Sequence, residues 1–219
     1  PLMPGEALSP TQPHPTKPAA YDLQGLTEDD LIDFTPELRA AALELLEDYH
    51  YGPLFTPPLH RDNDIGKTAS VWCPGDVGGT NIDGTPAADP ETGILYVTSQ
   101  KGCTSMVMVP GEEVDGEHGV PTGTTINKYA VGPSNRLGRV RGMPIFKPPY
   151  SKITAIDMNT GEHLWWIPVG DTPDLVKNNP ALAGMEIPNT GTGRQASQLV
   201  TKTLLMYTGQ GSDGTSYLY

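Results

Sequence analysis

The 219-residue chain carries 26 acidic against 14 basic residues, a formal net charge of −12. That balance argues against nucleic acid as a partner and against adsorption to anionic lipid, since both need clustered Lys and Arg. With 25 Gly and 23 Pro the composition also argues against a simple helical domain and favours short elements separated by many turns.

The chain opens at PLMPGEALSPTQPHPTKP, without Met or a charged leader, and closes at GTSYLY in mid-pattern, so it reads as an internal piece of something longer. No apolar run of about 18 residues occurs, so no membrane-spanning helix is expected. Residues 1–26 are predicted to be a Pro-rich extended segment lying over a surface. Residues 27–50 are predicted to be helical. Thr27 is an N-cap with Glu28, Asp29 and Asp30 in the first turn, and Thr35-Pro36-Glu37 restarts the pattern. Leu38, Ala41, Ala42, Leu45 and Tyr49 then form one apolar stripe, and Gly52-Pro53 stops it.

From residue 53 to 219 the chain reads as strand and turn. The predicted strands are SVWC (70–73), GILYVTS (93–99), SMVMVP (105–110), KITAID (152–157), HLWWIPV (163–169), QLVT (198–201) and TLLMYTG (203–209). The stretches 111–150 and 171–195 are expected as long functional loops, forming part of a substrate mouth or a lid. Two segments, AADPETGILYV and AIDMNTGEHLW, share Ala-x-Asp-x-x-Thr-Gly, with Asp89 matching Asp157 and Gly93 matching Gly161. Repeated hairpins of one type imply a propeller, whereas the motif alone is also good turn chemistry. Cys73 and Cys103 fit either one disulfide or two buried thiols, and they lack the spacing of a metal or redox motif.

The stretch Ala155-x-Asp157-x-x-Thr160-Gly161-x-x-x-Trp165 resembles the tryptophan-docking motif of the eight-bladed quinoprotein dehydrogenases. In that family the Trp ring packs between neighbouring blades and the turn residues tie blades together. Five further segments resemble, in order, the membrane glucose dehydrogenase branch: 5–18, 26–39, 52–58, 73–97 and 169–174. The resemblance implies a mainly all-β fold, a partial eight-bladed propeller corresponding to the second half of one. The remaining blades would come from the rest of the chain or from another chain.

The family's cofactor is pyrroloquinoline quinone (PQQ). Gly78-Gly79-Thr80-Asn81-Ile82-Asp83-Gly84 takes the place of the family's Gly-Gly-x-Asn-Trp-Gly segment. The resemblance therefore implies Asn81, with Gly79 and Thr80, as cofactor contacts; Ile82 stands where Trp is usual. By its spacing ahead of Phe55-Thr56-Pro57-Pro58, Asp30 takes the position of the base that accepts the substrate hydroxyl proton, with Asp29 and Asp33 close by. Lys67, with Arg61 second, takes the position of the Lys that approaches the quinone oxygens. Asp30 and Lys67 are thus the catalytic candidates. The resemblance also implies Ca²⁺ or Mg²⁺ beside the cofactor, with ligands outside this stretch. The histidines at 14, 50, 60, 118 and 163 have no metal-ligand spacing.

The implied activity is PQQ-dependent oxidation of a sugar or polyol in the periplasm, with attachment to the inner membrane through a preceding segment. Electrons would pass to ubiquinone or a cytochrome. The rival readings are a non-catalytic propeller scaffold and a sugar-binding propeller without redox chemistry.

Overall fold

The computed structural model describes residues 10–11, 13–76, 78–80, 85–114, 123 and 127–219. Thirteen strands occur among them: β1 (Tyr49–His50), β2 (Ala69–Trp72), β3 (Ala87–Asp89), β4 (Ile94–Gln100), β5 (Thr104–Pro110), β6 (Tyr129–Arg136) and β7 (Arg139–Val140) come first. They are followed by β8 (Met143–Pro144), β9 (Ser151–Asp157), β10 (Glu162–Pro168), β11 (Gln198–Val200), β12 (Leu205–Gln210) and β13 (Ser216–Leu218). Two four-stranded sheets, ordered β1-β2-β5-β6 and β10-β9-β4-β3, and a three-stranded sheet β11-β12-β13 carry the architecture.

The helical region is shorter than its sequence pattern implies. It consists of a 3₁₀ turn, Glu28–Asp30, and an 11-residue helix α1, Pro36–Leu46. Thr35 caps α1 by accepting from the Leu38 amide at 3.2 Å, with Pro36 at the first helical position. Leu38, Ala42 and Leu46 are buried on one side of the helix, in the larger core with Leu31, Ile32, Met143 and Ile145. The stripe does not carry the helix on to residue 49, because Tyr49 and His50 pair in parallel with Ala69 and Ser70 instead. Replacing Thr35 by Ala removes the cap acceptor and is expected to cost about 1 kcal/mol, read from urea unfolding.

The stretch 111–150 is not one long loop. Its β6 pairs antiparallel with β5 from Thr104↔Arg136 to Pro110↔Tyr129, and β7 and β8 make a short hairpin. The turn-rich sequence hid β6 because it reads YAVGPSNR, with little apolar alternation. The stretch 171–195 holds a single helical turn, α2 (Asp174–Lys177), and a 3₁₀ turn Pro180–Leu182.

In the central sheet, Val97, Thr98 and Ser99 of β4 are consecutively buried, as are Ile153 to Ile156 of β9. Consecutive burial means that both faces are covered, because side chains alternate across a strand. One cover is the β11-β12-β13 sheet. Ile153, Val169 and Ala196 form a core with Tyr96, Leu205 and Tyr207, which draws on both sheets. Sheets stacked face to face in chain order are the blades of a propeller, here a partial one.

The two similar hairpins lie side by side in one blade rather than in two. Asp89 and Asp157 each accept from the amide two residues on, Glu91 at 2.9 Å and Asn159 at 2.8 Å. Gly93 and Gly161 then turn at φ +70 and +73, which a side chain would oppose. Ile94 sits opposite Asp157 in the ladder, and the Met158 amide donates to the Gly93 carbonyl at 2.9 Å. The Trp165 ring lies over Tyr96 of the same sheet, 5.7 Å between centroids, and is 40% exposed. The described part of the Pro-rich segment lies over a surface: Lys17 pairs with Glu162, and His163 meets the Ala19 carbonyl at 3.0 Å, both on the β9–β10 hairpin.

Candidate active site

With both hairpins at one end of the central sheet, the other end is left for loops. Gln100 ends β4 there and Ser151 begins β9 opposite it. Three separate segments converge on that end. Gly79 exchanges both backbone hydrogen bonds with Gln100, at 2.8 and 3.1 Å, and the Thr80 hydroxyl donates to the Thr98 carbonyl at 2.7 Å. From the far side, Gln195 Nε2 donates to the Gly79 carbonyl at 2.9 Å while its amide donates to Gln100 Oε1 at 3.1 Å. The Ala196 amide adds a bond to Thr98 Oγ1 at 3.0 Å. Tyr150 brings in the third segment, accepting from the Lys101 amide at 2.8 Å.

Covalent and steric constraints hold the Gly79 loop in place. Cys73 and Cys103 form a disulfide, which resolves their two readings, and both are almost fully buried. The Asp76 amide donates to Thr104 Oγ1 at 3.3 Å, just beyond Cys103. Gly79 and Thr80 therefore form a fixed rim. Asn81, the principal cofactor candidate, and Ile82 lie outside the described residues.

Beside this rim is a cleft of about 350 Å³ lined by residues 20–25, Asp30, Lys101 and Lys152. Lys101 directly follows Gln100, and its Nζ donates to the Lys147 carbonyl at 2.6 Å. Burial pushes the Lys101 ammonium below its ordinary pKa, opposed by the charges of Asp22 and Asp30. Burial lowers Lys152 as well, opposed by Asp22. Asp30 Oδ2 accepts from both the amide and the hydroxyl of Thr27, each at 2.8 Å, which closes the 3₁₀ turn.

The structure does not bring Lys67 to Asp30. Lys67 Nζ donates to the Glu47 carbonyl, just past the C-terminus of α1, and its backbone is tied to Asn63. Arg61 is likewise committed, to Glu113 at 2.5 and 2.6 Å, and Asp33 pairs with Lys147 at 3.1 Å. Lys101 is within electrostatic reach of Asp30. Sequence reasoning missed Lys101 and Lys152. They are neighbours only through the antiparallel pairing of β4 and β9, with Ser99 opposite Lys152, and no local spacing reports that pairing.

Ser99 Oγ and Gln195 Oε1, at this end, and Tyr150 OH, which lies in the field of Arg139, are buried without a hydrogen-bond partner among the described residues. Buried polar atoms of this kind normally have one. No group of three or more His, Cys, Asp or Glu side chains that could hold a metal occurs among the described residues. Nor is any described helix long and apolar enough to cross a membrane.

The family model for the PQQ glucose/ethanol/alcohol dehydrogenase β-propeller domain matches residues 2–219. The chain is 30% identical over 185 residues to the quinate/shikimate dehydrogenase (quinone) of Acinetobacter baylyi, covering 78% of this chain and 22% of that protein. It is 28% identical over 179 residues to a probable quinate dehydrogenase (quinone) of Xanthomonas campestris pv. juglandis, covering 77% of this chain and 22% of that one. The glycerol dehydrogenase large subunit of Gluconobacter thailandicus is 27% identical over 237 residues, covering 97% of this chain and 30% of the subunit. The chain thus spans under a third of the length of these relatives.

Proposed function

Because the chain belongs to the PQQ-dependent glucose/ethanol/alcohol dehydrogenase β-propeller family, we propose that it forms part of a quinoprotein dehydrogenase oxidising a polyol or another polyhydroxylated alcohol. The observation that carries the reading is the convergence of Gly79–Thr80, Gln100–Lys101 and Gln195 at the open end of the central sheet. Glucose itself receives no particular support: the relatives are described as quinate/shikimate and glycerol dehydrogenases. A periplasmic location, a ubiquinone or cytochrome acceptor and a Ca²⁺ or Mg²⁺ ion held by residues elsewhere complete the proposal.

When bound, PQQ supplies the acceptor for the two electrons removed from the alcohol carbon. The work left to this stretch is binding and positioning. Thr80 and Gln195 fix the rim through the Thr98 and Gly79 carbonyls, and Asn81 continues from that rim. Asp30 lines the cleft and has its Oδ2 committed to Thr27, which leaves Oδ1 to take a hydroxyl proton. Asp30→Asn keeps an oxygen for Thr27. If Asp30 is the proton acceptor, that variant loses at least about 100-fold in turnover while PQQ stays bound. Turnover within a few-fold of the parent assigns Asp30 to the turn alone.

The test of the whole reading is reconstitution of the full-length protein with PQQ and Ca²⁺ or Mg²⁺, followed by a dye-linked assay over neutral polyols, sugars and polyhydroxy acids. Dye reduction that requires PQQ, metal and one substrate class supports the dehydrogenase. Failure to bind PQQ at micromolar concentration removes it and leaves the scaffold.

A further inference from the structure

Charge is unevenly distributed along this acidic chain. Residues 118–156 contain no Asp or Glu, yet they hold Lys128, Arg136, Arg139, Arg141, Lys147 and Lys152, six of the 14 basic residues. Such segregation is a signature of a surface for an oppositely charged partner. Arg136, Arg139 and Arg141 are exposed within one short stretch, and none of them makes an ion pair among the described residues. Arg139 commits one guanidinium nitrogen, to the Gly142 carbonyl at 3.0 Å.

Arg141 is the informative member. It takes the first position of the two-residue turn between Val140 and Met143, at φ +47, followed by Gly142 at +84. Gly, Asn or Asp adopts that left-handed position readily, whereas Arg is strained there. The surroundings hold it nonetheless. Val140 and Met143 are buried in the larger core, and the nearly buried Asn179 donates Nδ2 to the Arg141 carbonyl at 3.0 Å. A strained conformation fixed this firmly points to a role for the side chain it presents.

We infer that the β7–β8 hairpin, with Arg136 before it, is a docking surface for an acidic segment of a partner protein. Carboxylates of that segment pair with the planar guanidinium groups, the geometry that suits Arg better than Lys. The turn stands in the open, since a Cβ on Gly142 would meet nothing within 4 Å, so no wall encloses a small free anion there. A flat anionic bilayer fits less well. Helix α1 packs beside this stretch, Leu45 against Gly138, and exposes Glu37, Glu44 and Glu47, with Glu37 in the field of Arg141. A bilayer would meet those carboxylates together with the arginines, whereas a protein segment can reach the arginines alone. The inference is independent of the dehydrogenase reading.

The experiment is fluorescence anisotropy of a labelled oligoglutamate peptide titrated with the full-length protein, beside an oligoglutamine peptide of equal length. Oligoglutamate is expected to bind at least about tenfold more tightly and to weaken as salt is raised. The double variant Arg139→Gln, Arg141→Asn should lose about tenfold, the scale of two exposed charge pairs removed together. Arg141→Asn alone should weaken binding while leaving the thermal unfolding midpoint at or above that of the parent, because Asn tolerates the left-handed turn. Lost binding is then not lost folding. Equal binding of the two peptides by the parent, or full binding by the double variant, overturns the surface. So does displacement of the peptide by inorganic phosphate at millimolar concentration, which makes it a small-anion site. Tighter capture by phosphatidylglycerol vesicles than by the peptide, lost in the double variant, replaces the protein partner by a lipid surface.

Discussion

Replacing Cys73 and Cys103 together by alanine is expected to lower the unfolding free energy of the oxidised protein by about 3–4 kcal/mol. The two cysteines are 30 residues apart, and cross-linking a loop of that length removes a corresponding amount of chain entropy from the unfolded state. Alanine rather than serine is the right replacement, since both sites are at most 4% exposed and a hydroxyl there would need a buried partner. Urea unfolding of the double variant, beside the parent with and without reductant, measures the effect. The reduced parent should fall to near the level of the variant. A shift under about 0.5 kcal/mol would show that noncovalent contacts alone hold the segment. The loss should also be felt at the rim, because the bridge joins the start of the 74–80 loop to the chain just beyond Gln100.

The second large effect belongs to Gly78. A Cβ there would stand 2.1 Å from the Pro74 carbonyl oxygen and 2.8 and 2.9 Å from the backbone oxygen and nitrogen of Gly102. These are backbone atoms on both sides, and the disulfide between Cys73 and Cys103 ties the two segments together, so neither can swing aside as a side-chain tip would. Gly78→Ala is expected to cost about 1–3 kcal/mol as an overpacked site. Because the next residue is Gly79, the strain must also displace the rim against Gln100 and Gln195. PQQ affinity of the full-length protein should then fall by about tenfold or more, since a misplaced rim forfeits at least one hydrogen bond. Thermal denaturation and a fluorescence titration with PQQ read the two effects separately. A variant that binds PQQ like its parent would show that the Gly79–Thr80 rim is not part of the cofactor site.

Much of the local structure was legible in the chain itself. The Asp-x-x-Thr-Gly turns, the Thr35-Pro36 helix start and most of the long strands depend on neighbours within a few residues. Their chemistry is side chain to adjacent amide, or glycine at positive φ, and short-range sequence encodes both. The docking-type hairpin also carried the family, because its residues stand in a fixed order around one turn. The turn motif did not say how the two similar hairpins are arranged. Two hairpins side by side in one sheet need the same turn residues as two hairpins in successive sheets, and only the pairing of Ile94 with Asp157 separates the cases.

The candidate site was legible only in part. Gly79 and Thr80 are found at the open end of the central sheet. Asp30 and Lys67, read from spacing along the chain, are not brought together. The α1 helix intervenes between them, and the Glu47 carbonyl holds Lys67 at its far end. Lys101, Lys152 and Gln195 come from two strand ends and a returning loop, and the Gln195–Gln100 bond alone spans 95 residues of chain. Hairpins and caps are fixed by atoms a few bonds apart, so the sequence by itself determined the turns, the main strands and the family. Which lysine faces which carboxylate depends on the register of β4 against β9 and on the disulfide that brings residue 73 to residue 103. Those long-range pairings are set by burial of the whole sheet at once, and only the tertiary structure decides them.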